Sequence, residues 1–528
     1  MRKLSLILLF LPLMAFGQIE KSDWVNGVPD GCTTITVGKN ASSDGSVYTS
    51  HTDDSHRTRS NFLIQPAKKH KNGETVELFK RGTCDTTPMP TYSAIKTGEI
   101  PQVKYTYGYI NSAYPCINEK QLAMGESTFG GREELISENG LIDCERLCML
   151  LLERCSTARG AILTAGELLK EYGWIDAGEC LTIADKTEVW HLEIVGPGKG
   201  NKGAIWCAQR VPDAHIAVNA NASTIKEIDI SDTKNFLASE NVFSYAEEQG
   251  WWNPEEEEFR WCYAYAPQSR TEIASRRREW RVYDLLAPSL GLDPHAENYP
   301  FSVKPDKPVT LQDLITVFSD QYEGTDFDMC KTLIVPDEDG KMEISPLANP
   351  QMPYEMTKML RLNGGWGELG ERTISRWYTM YATIIQLRDF MPDEVGGLVW
   401  LALDNVATSV YVPVYNCVSD LPKEYKTCGR QTGFSRDAAW WVFNRLGTLA
   451  VHRWGDMRYD LAEVWGPFQT QLIENQKNVE EKALELLKKD KSKAIEYLTN
   501  YTNEQCNEAL EKAWKLGDHL WTKYDEKW

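Results

Sequence analysis

The chain has 528 residues, 42% hydrophobic and 25% charged, which is the composition of a globular protein and excludes a disordered chain. Its 57 lysine and arginine residues stand against 76 aspartate and glutamate residues, so the net charge is −19. Because a surface this acidic repels phosphate groups, the charge argues against a nucleic-acid or membrane-surface partner.

The first segment of the chain is typical of a signal peptide. Arg2 and Lys3 precede an apolar run from Leu4 to Phe16, and Ala15-Phe16-Gly17 has the small-x-small form that a signal peptidase recognises. This run is shorter than the roughly 20 apolar residues that span a bilayer, and no later stretch is long enough. We therefore expect residues 1–17 to be removed on export, and the periplasmic or secreted protein to be soluble with no membrane partner.

Strands and helices then alternate along the chain. The β-branched run Cys32–Val37 and the run Ser46–His51 predict a hairpin at the start of the mature fold. Later hairpins are expected from Cys180–Ala184 with Glu188–Ile194, Ala204–Gln209 with Ile216–Asn219, and Gly397–Leu403 with Thr408–Tyr415. Apolar periodicity predicts helices over Asp143–Tyr172, Leu311–Tyr322, Arg372–Phe390, Val479–Lys489 and Asn503–Tyr524. Hairpins in place of strand-helix-strand units favour antiparallel sheets covered by helices, in one large domain with a helical C-terminal appendage.

The chain contains 13 cysteines, and export to an oxidising compartment makes this odd number informative. All but one of the 13 can pair in disulfides, which leaves one thiol over. Cys144 and Cys148 have the spacing of a zinc-ligand pair on a helix, but no second ligand pair follows and the histidines show no ligand spacing. Buried or disulfide-bonded cysteines are the simpler interpretation, and we expect neither a metal nor another cofactor.

Cys32 differs from the other cysteines because it opens a strand directly after a flexible segment that ends in Gly31. If the Gly31–Cys32 bond is cut, Cys32 carries both a thiol and an α-amine. An α-amine has a pKa of about 7.7 to 8, which suits a base near neutral pH, so one residue would supply nucleophile and base. On local features alone, a disulfide partner is the simpler interpretation of Cys32.

Ordered sequence blocks are similar to those of one enzyme family. The blocks are Asp30–Ser46 (DGCTTITVGKNASSDGS), Thr49–Asp54 (TSHTDD), Ile117–Phe129 (INEKQLAMGESTF), Thr182–Asp185 (TIAD), Val189–Ile194 (VWHLEI), Ala208–Asp213 (AQRVPD), Arg276–Arg281 (RRREWR) and Phe301–Asp306 (FSVKPD). In this order they resemble the cysteine-nucleophile dipeptidase family related to secernins, whose members are N-terminal-nucleophile (Ntn) hydrolases. The resemblance covers residues 32–470 and outweighs the local interpretation of Cys32.

The resemblance implies an α+β fold, the four-layer αββα sandwich of Ntn hydrolases with two stacked antiparallel sheets. It implies hydrolysis of dipeptides with a free amino terminus through an acyl-enzyme on Cys32, without a metal or cofactor. The chain would then consist of a signal peptide (1–17), a propeptide (18–31), the peptidase domain (32–470) and the appendage (471–528). In Ntn hydrolases the nucleophile commonly makes the cut itself, and Gly31 suits this because glycine lacks Cβ and accepts a strained backbone.

The resemblance also implies roles for five further residues. More distant relatives, the bile-salt hydrolases and penicillin V acylases, have Arg-x-x-Asp after the nucleophile, where this chain has His51-Thr-Asp-Asp54. Asp54 matches the carboxylate that holds the cysteine α-amine, whereas His51 departs from the arginine and is assigned to substrate binding. Their oxyanion-hole asparagines match Thr128, a second departure, and Asn221. Their late catalytic arginine matches Arg278, which lies directly after two other arginines.

Two other functions stay open at this point. The same chemistry would serve an amidase that cuts an N-acyl amide of the bile-salt or penicillin V type, although the blocks outside the nucleophile hairpin favour a dipeptidase. A catalytically silent secreted binding protein would use the pairs Trp251-Trp252 and Trp440-Trp441 for carbohydrate, but such pairs more often lie in cores. The expected partners are dipeptides, and a homo-oligomer is compatible with the sequence.

Overall fold

The structure is a computed structural model that describes residues 31–55, 57–84, 91–350, 371–430 and 433–527. The predicted signal peptide and all of the predicted propeptide except Gly31 lie outside the described residues. Two large antiparallel sheets and long C-terminal helices give the described chain a mixed α+β fold.

Strands of the two large sheets come from distant parts of the chain. The seven-stranded sheet contains, in spatial order, β16 (Ser302–Val303), β14 (Ile216–Asn219), β1 (Gly31–Val37), β2 (Val47–Asp54), β19 (Thr379–Leu387), β20 (Leu398–Leu403) and β21 (Val412–Tyr415). The eight-stranded sheet contains β15 (Phe236–Ala238), β13 (Ile205–Val211), β12 (Val189–Val195), β11 (Gly178–Ala184), β10 (Ala123–Gly130), β9 (Ile117–Asn118), β8 (Tyr109–Asn111) and β3 (Leu63–Gln65). Smaller strand pairs are β4 (Lys68–Lys69) with β7 (Tyr105–Thr106), β5 (Thr75–Cys84) with β6 (Thr91–Pro101), and β17 (Ile334–Pro336) with β18 (Met342–Ile344).

Helices surround these sheets. They are α1 (Cys144–Arg154), α2 (Ala158–Tyr172), α3 (Ser244–Glu248), α4 (Trp261–Tyr265), α5 (Ile273–Leu286), α6 (Leu311–Phe318), α7 (Asp393–Gly396), α8 (Lys423–Lys426), α9 (Ala439–His452), α10 (Trp454–Leu487) and α11 (Lys491–Lys523). Single 3₁₀ turns occur at Glu133–Leu135, Pro267–Arg270, Pro288–Leu290 and Val406–Thr408.

The predicted helix over Arg372–Phe390 is wrong, because its central part is strand β19. β19 pairs with β2 on one side and β20 on the other, and each of its residues is buried. A strand buried on both faces is a largely apolar run, TMYATIIQL in this case, and periodicity alone does not distinguish such a run from a buried helix. The error matters because the segment leading into β19 contributes to the candidate site.

Other predicted elements are confirmed with changed bounds. The single helix expected over Asp143–Tyr172 is two helices, because the side chains of Asp143 and Thr157 each accept a hydrogen bond from a backbone N–H in the first turn of α1 and α2. The helix expected over Leu311–Tyr322 ends at Phe318, and the two C-terminal helices are both longer than expected.

The hairpin expected from Ala204–Gln209 and Ile216–Asn219 does not form. β13 pairs with β12 in the eight-stranded sheet, whereas β14 pairs with β1 in the seven-stranded sheet. The polar residues between them therefore carry the chain from one sheet to the other. As a result β14 leads directly to Asn221, beside the start of β1.

The two sheets face each other around β2 and β10. The hydroxyl oxygens of Thr49 on β2 and Thr182 on β11 are 2.7 Å apart. A Cβ added to Gly125 on β10 would collide with the carbonyl oxygen of Ser50, so glycine is required for this close approach. The first residues of β1 and the second half of β10 lie in the polar space that these strands enclose.

The C-terminal helices pack against the same core as the sheets. α11 contacts α9, α10 and β21, and the Thr502 hydroxyl donates to the carbonyl of Pro413 on β21 over 3.2 Å. α10 runs through residue 470, where the appendage is expected to start. Across the described ranges, no helix is both long and apolar enough to cross a membrane.

Candidate active site

Cys32 is the second residue of β1 and lies between the two large sheets. β1 is flanked by β14 and β2, which places Cys32 opposite Asp53 in the strand register. Its side chain is buried, and its Sγ donates to Oε2 of Glu126 on β10 over 3.2 Å. The thiol therefore joins the two sheets at their polar contact.

The backbone of Cys32 is held by two of the residues expected at the site. Its N–H donates to Oδ1 of Asn221 over 3.0 Å, and Nη1 of Arg278 donates to its carbonyl oxygen over 2.8 Å. Nη2 of Arg278 also donates to Oδ1 of Asn221, over 2.9 Å. Burial, and then the nearby positive charge of Arg372, lower the pKa of Arg278 to about 9. Asn221 and Arg278 thus fix both ends of the residue that carries the thiol.

The structure distinguishes Arg278 from the two arginines before it. Nη2 of Arg277 forms a buried ion pair with Glu371 over 2.7 Å. Nη1 of Arg276 donates to the carbonyl of Ala296 over 2.8 Å, away from Cys32. Because α5 turns these three side chains in different directions, only Arg278 among them contacts Cys32.

The Asn221 amide has a defined orientation. Its Oδ1 accepts from Cys32, from Arg278 and from Nη1 of Arg372, while its Nδ2 donates to the carbonyl of Thr128 over 2.8 Å. Asn221 itself adopts a left-handed backbone with a φ of 60°, a conformation that asparagine tolerates well. With this orientation the amide presents an acceptor, not a donor, to Cys32.

The Thr128 hydroxyl lies between two buried carboxyl groups and away from the thiol. Its Oγ1 is 2.9 Å from Oε1 of Glu126 and 2.8 Å from Oε1 of Glu179. A hydroxyl has one proton to donate, so one of the two carboxyl groups must itself carry a proton. The Thr128 hydroxyl therefore reaches the thiol through Glu126, whereas the Thr128 carbonyl is linked to the Cys32 nitrogen through Asn221.

The proton belongs on Glu179. Burial, and then the negative charge of Glu126, raise the pKa of Glu179 well above its usual value. Burial also opposes ionisation of Glu126, but hydrogen bonds from His51 and Glu179 outweigh it and lower the pKa of Glu126 to about 2. Glu126 is therefore an ionised carboxylate that accepts the thiol hydrogen bond. Burial, followed by the charges of Glu126, Asp53 and Asp54, raises the pKa of the Cys32 thiol well above its usual value.

His51 lies next to both Glu126 and the thiol, with a ring nitrogen within 4.8 Å of Sγ. Its Nε2 is 3.3 Å from Oε2 of Glu126, the same oxygen that accepts from Cys32. The imidazole packs edge-on against the rings of Tyr114 and Tyr381, with ring centroids 5.2 and 5.7 Å away. These contacts fix the imidazole next to the carboxylate.

Asp54 is linked to Cys32 through other side chains. It lies opposite Gly31 in the strand register, its Oδ1 accepts from the Thr379 hydroxyl over 2.6 Å, and its Oδ2 pairs with Nη2 of Arg372. The other terminal nitrogen of Arg372, Nη1, donates to Oδ1 of Asn221 over 3.0 Å. An Asp54–Arg372–Asn221 chain therefore ends at the backbone N–H of Cys32.

The sequence interpretation missed three residues of this cluster, Glu126, Glu179 and Arg372. Glu126 lies two residues before Thr128 on β10, and the period of a strand places these two side chains on one face. That signal was available in the sequence. Glu179 comes from β11 and Arg372 from the segment before β19, and sequence spacing does not bring either of them to Cys32.

Two groups of buried side chains come close enough to share a cation. Cys32, His51 and Glu126 form one, and Glu126, Cys144 and Glu179 form the other, with candidate ligand atoms within 4.8 Å of one another. Because these residues come from separate elements, no ligand spacing appears in the sequence. The expectation of a metal-free site stays a prediction.

The disulfides expected from the cysteine count are not found among the described cysteines. The twelve cysteines whose side chains are described, including Cys144 and Cys148 on α1, are free thiols. Most are buried, which is a common environment for unpaired cysteine. Trp440 lies in the main hydrophobic cluster and Trp441 Nε1 donates to the carbonyls of Gly429 and Gly433, while Trp251 and Trp252 are half-buried against a second cluster.

Comparison with known proteins gives one consistent result. Residues 31–466 match the model of peptidase family C69. A probable dipeptidase of Latilactobacillus sakei is 26% identical over 439 residues, which cover 80% of this chain and 82% of that protein. Probable dipeptidases B of Lactococcus lactis subsp. lactis and Streptococcus pyogenes serotype M1 are 25% and 24% identical, covering 81% and 86% of this chain and 82% and 83% of theirs.

Proposed function

Because the chain belongs to peptidase family C69, we propose that it hydrolyses dipeptides with a free amino terminus, with Cys32 as the nucleophile. The observation that carries the proposal is the convergence of side chains on Cys32. Asn221 contacts its nitrogen, Arg278 its carbonyl oxygen and Glu126 its sulfur. A cysteine that served only as packing would not need such a polar setting, because thiols are commonly buried without one.

The proposal requires cleavage of the Gly31–Cys32 bond, which frees the α-amine of Cys32. In hydrolysis, the Sγ proton passes to this amine and Sγ bonds to the scissile carbonyl carbon. The C–N bond then breaks, the leaving nitrogen takes the proton, and a thioester holds the first amino acid. Water hydrolyses the thioester and restores the thiol. Oδ1 of Asn221, which accepts from the Cys32 nitrogen before cleavage, is positioned to accept from the free amine.

Asp54 and Arg372 act on that amine through Asn221. Their ion pair is buried, and the Nη1 contact with Oδ1 of Asn221 holds the amide in its acceptor orientation. The resemblance assigns oxyanion donation to Thr128 and Asn221. Since Nδ2 of Asn221 donates to the Thr128 carbonyl before cleavage, this role requires the two residues to separate when substrate binds. Loss of one oxyanion donor typically costs about 10² to 10³ in rate.

The proposal also covers export, processing and the division of the chain. Residues 1–17 act as a signal peptide, residues 18–31 leave when Cys32 attacks the preceding carbonyl, and residues 32–470 form the peptidase domain, followed by the appendage at 471–528. The proposed fold is the four-layer αββα sandwich of Ntn hydrolases. Its support is that α2 packs on the eight-stranded sheet while α9 and α11 pack on the seven-stranded sheet.

The test is a substrate panel combined with intact mass measurement. Purified protein that begins at Cys32 is expected to release amino acids from several dipeptides and to lose this activity when iodoacetamide alkylates Cys32. The panel includes N-acyl amides of the bile-salt and penicillin V type. Cleavage of those amides without dipeptide hydrolysis would identify the protein as an acylase, and no hydrolysis of either class would identify a binding protein.

A further inference from the structure

A cavity of about 140 Å³ lies beside the site, and four basic residues contribute to its lining. They are Arg59, Lys80, Arg81 and Arg146. Glu145 is the one acidic side chain among the described residues of the lining. A basic cavity is unexpected in a chain with a net charge of −19, and it concentrates positive potential where the protein as a whole is negative.

Two series of side-chain contacts connect the cavity with Cys32. Thr58, a buried residue of the floor, donates to Asp53 over 2.7 Å, and Asp53 lies opposite Cys32 in the strand register. On the second route Arg81 donates to the Tyr114 hydroxyl. The Tyr114 ring packs on His51, which contacts Glu126 next to the thiol. The opposite end of the cavity opens to solvent at the exposed Lys80 on β5.

Basic residues outnumber acidic residues within the described lining itself. Arg59 and Arg146 share one carboxylate, Glu145, at 3.6 and 3.3 Å. Arg81 is balanced by carboxyl groups behind the lining, because its Nη2 is 3.9 Å from Asp176 and its charge also acts on Glu126 and Asp143. The side-chain ammonium of Lys80 makes no hydrogen bond or ion pair with any residue in the described ranges. Arg59, Arg146 and Lys80 therefore have one lining carboxylate between them, which leaves positive charge that an anionic ligand would neutralise.

We propose that this cavity binds the C-terminal carboxylate of the dipeptide substrate. The inference rests on the proposed function and adds to it the feature that selects substrate length. In a dipeptide the carboxylate lies one residue, about 3.6 Å at most, beyond the scissile carbonyl. A longer peptide would bring an uncharged amide to the same place, and the arginines, which suit planar carboxylates, would lose their partner.

The test compares a hydrolysed dipeptide with the same dipeptide amidated at its C-terminus. The unmodified enzyme is expected to prefer the free acid in kcat/KM by tenfold or more. Lys80→Gln and Arg146→Gln are each expected to reduce that preference about tenfold through KM, because hydrogen bonds to charged groups are commonly worth at least a factor of ten. Lys80 is exposed on β5, so its replacement does not disturb the core. The matched control is Lys477→Gln, an exposed residue of α10 that pairs with Glu481 and should leave the preference unchanged.

Each outcome bears on the proposal. Equal kcat/KM for the acid and the amide, or an unchanged preference in both cavity variants, would overturn the carboxylate site while leaving the dipeptidase in place. Hydrolysis of tripeptides at the rate of dipeptides would do the same. Failure to hydrolyse either form of the dipeptide would overturn the proposed function and the cavity's role together.

Discussion

Arg372 and Gly31 approach so closely that no side chain fits on Gly31. A Cβ added to Gly31 would collide with Nη1 of Arg372 and would lie 2.9 Å from Oδ1 of Asn221. Gly31 forms part of the regular strand β1, so its backbone is not the strained one expected from the sequence. Space, and not backbone strain, therefore explains glycine before Cys32.

We predict that Gly31→Ala slows cleavage of the 31–32 bond about 10- to 100-fold, because overpacking a filled site costs about 1–3 kcal/mol. Intact mass after timed incubation measures the fraction of chains that begin at Cys32. The control is a chain beginning Met-Cys32, which needs only removal of the methionine and is expected to be fully active. Normal cleavage of Gly31→Ala would show that Arg372 and Asn221 move away from this bond before it breaks.

Asp54→Asn is expected to lower kcat for dipeptides about 100-fold, because it uncouples the Arg372–Asn221 chain from the Cys32 amine. It also leaves the buried Arg372 without its carboxylate, so we expect a loss of about 3–5 kcal/mol in unfolding free energy. Thr379→Val serves as the control, since it removes the hydroxyl contacts with Oδ1 of Asp54 and the Arg376 carbonyl but keeps the Asp54–Arg372 ion pair. Kinetics are measured well below both melting temperatures. Near-normal kcat in folded Asp54→Asn would remove Asp54 from the catalytic machinery.

Local chemistry made part of the fold predictable. Residues of β1 and β2 have the β-branched composition of strands, and both were expected within a few residues of their bounds. β19 was not predictable in this way, because a fully buried strand carries no alternation of polar and apolar residues. The sheet to which β14 belongs was not predictable either, because its pairing with β1 depends on a crossover that no short-range turn signal encodes.

The candidate site follows the same division. The family resemblance assigned Cys32, Asn221 and Arg278 to the site, and in the structure these three residues are in direct contact. The partners that complete the cluster, Glu179 and Arg372, are joined to it only by tertiary pairing of strands far apart in sequence. Neither the charge pattern nor the residue spacing along the chain indicates those strand pairings.

Chelation is expected to leave dipeptide hydrolysis intact. A proton neutralises Glu179 and the Thr128 hydroxyl donates to the carboxylate of Glu126, so the carboxyl pair does not need a cation. Activity is measured after dialysis against EDTA and again after zinc is added. Activity lost to EDTA and restored by zinc would contradict this prediction and would make the two buried clusters that share Glu126 the candidate ligand sets.

The last prediction concerns the reactivity of Cys32 before and after cleavage. In the uncleaved chain, burial and the charge of Glu126 raise the pKa of the thiol, so little thiolate is present at pH 7. Cleavage places an α-ammonium next to the thiol, and a neighbouring positive charge lowers a thiol pKa. We therefore expect iodoacetamide to label Cys32 faster in the cleaved protein than in Gly31→Ala.

Glu126→Gln separates the contribution of the carboxylate from that of the amine. Removing the charge 3.2 Å from Sγ lowers the thiol pKa, so at fixed pH below that pKa the thiolate fraction rises. In the uncleaved Gly31→Ala background we expect labelling of Cys32 to become about tenfold faster, one pKa step corresponding to a factor of ten. Peptide mass spectrometry follows Cys32 separately from the other cysteines, and Glu134→Gln on a distant 3₁₀ turn is the matched control. Slower labelling in Glu126→Gln would mean that Glu126 removes the thiol proton instead of retaining it, and the base for self-cleavage would then be Glu126.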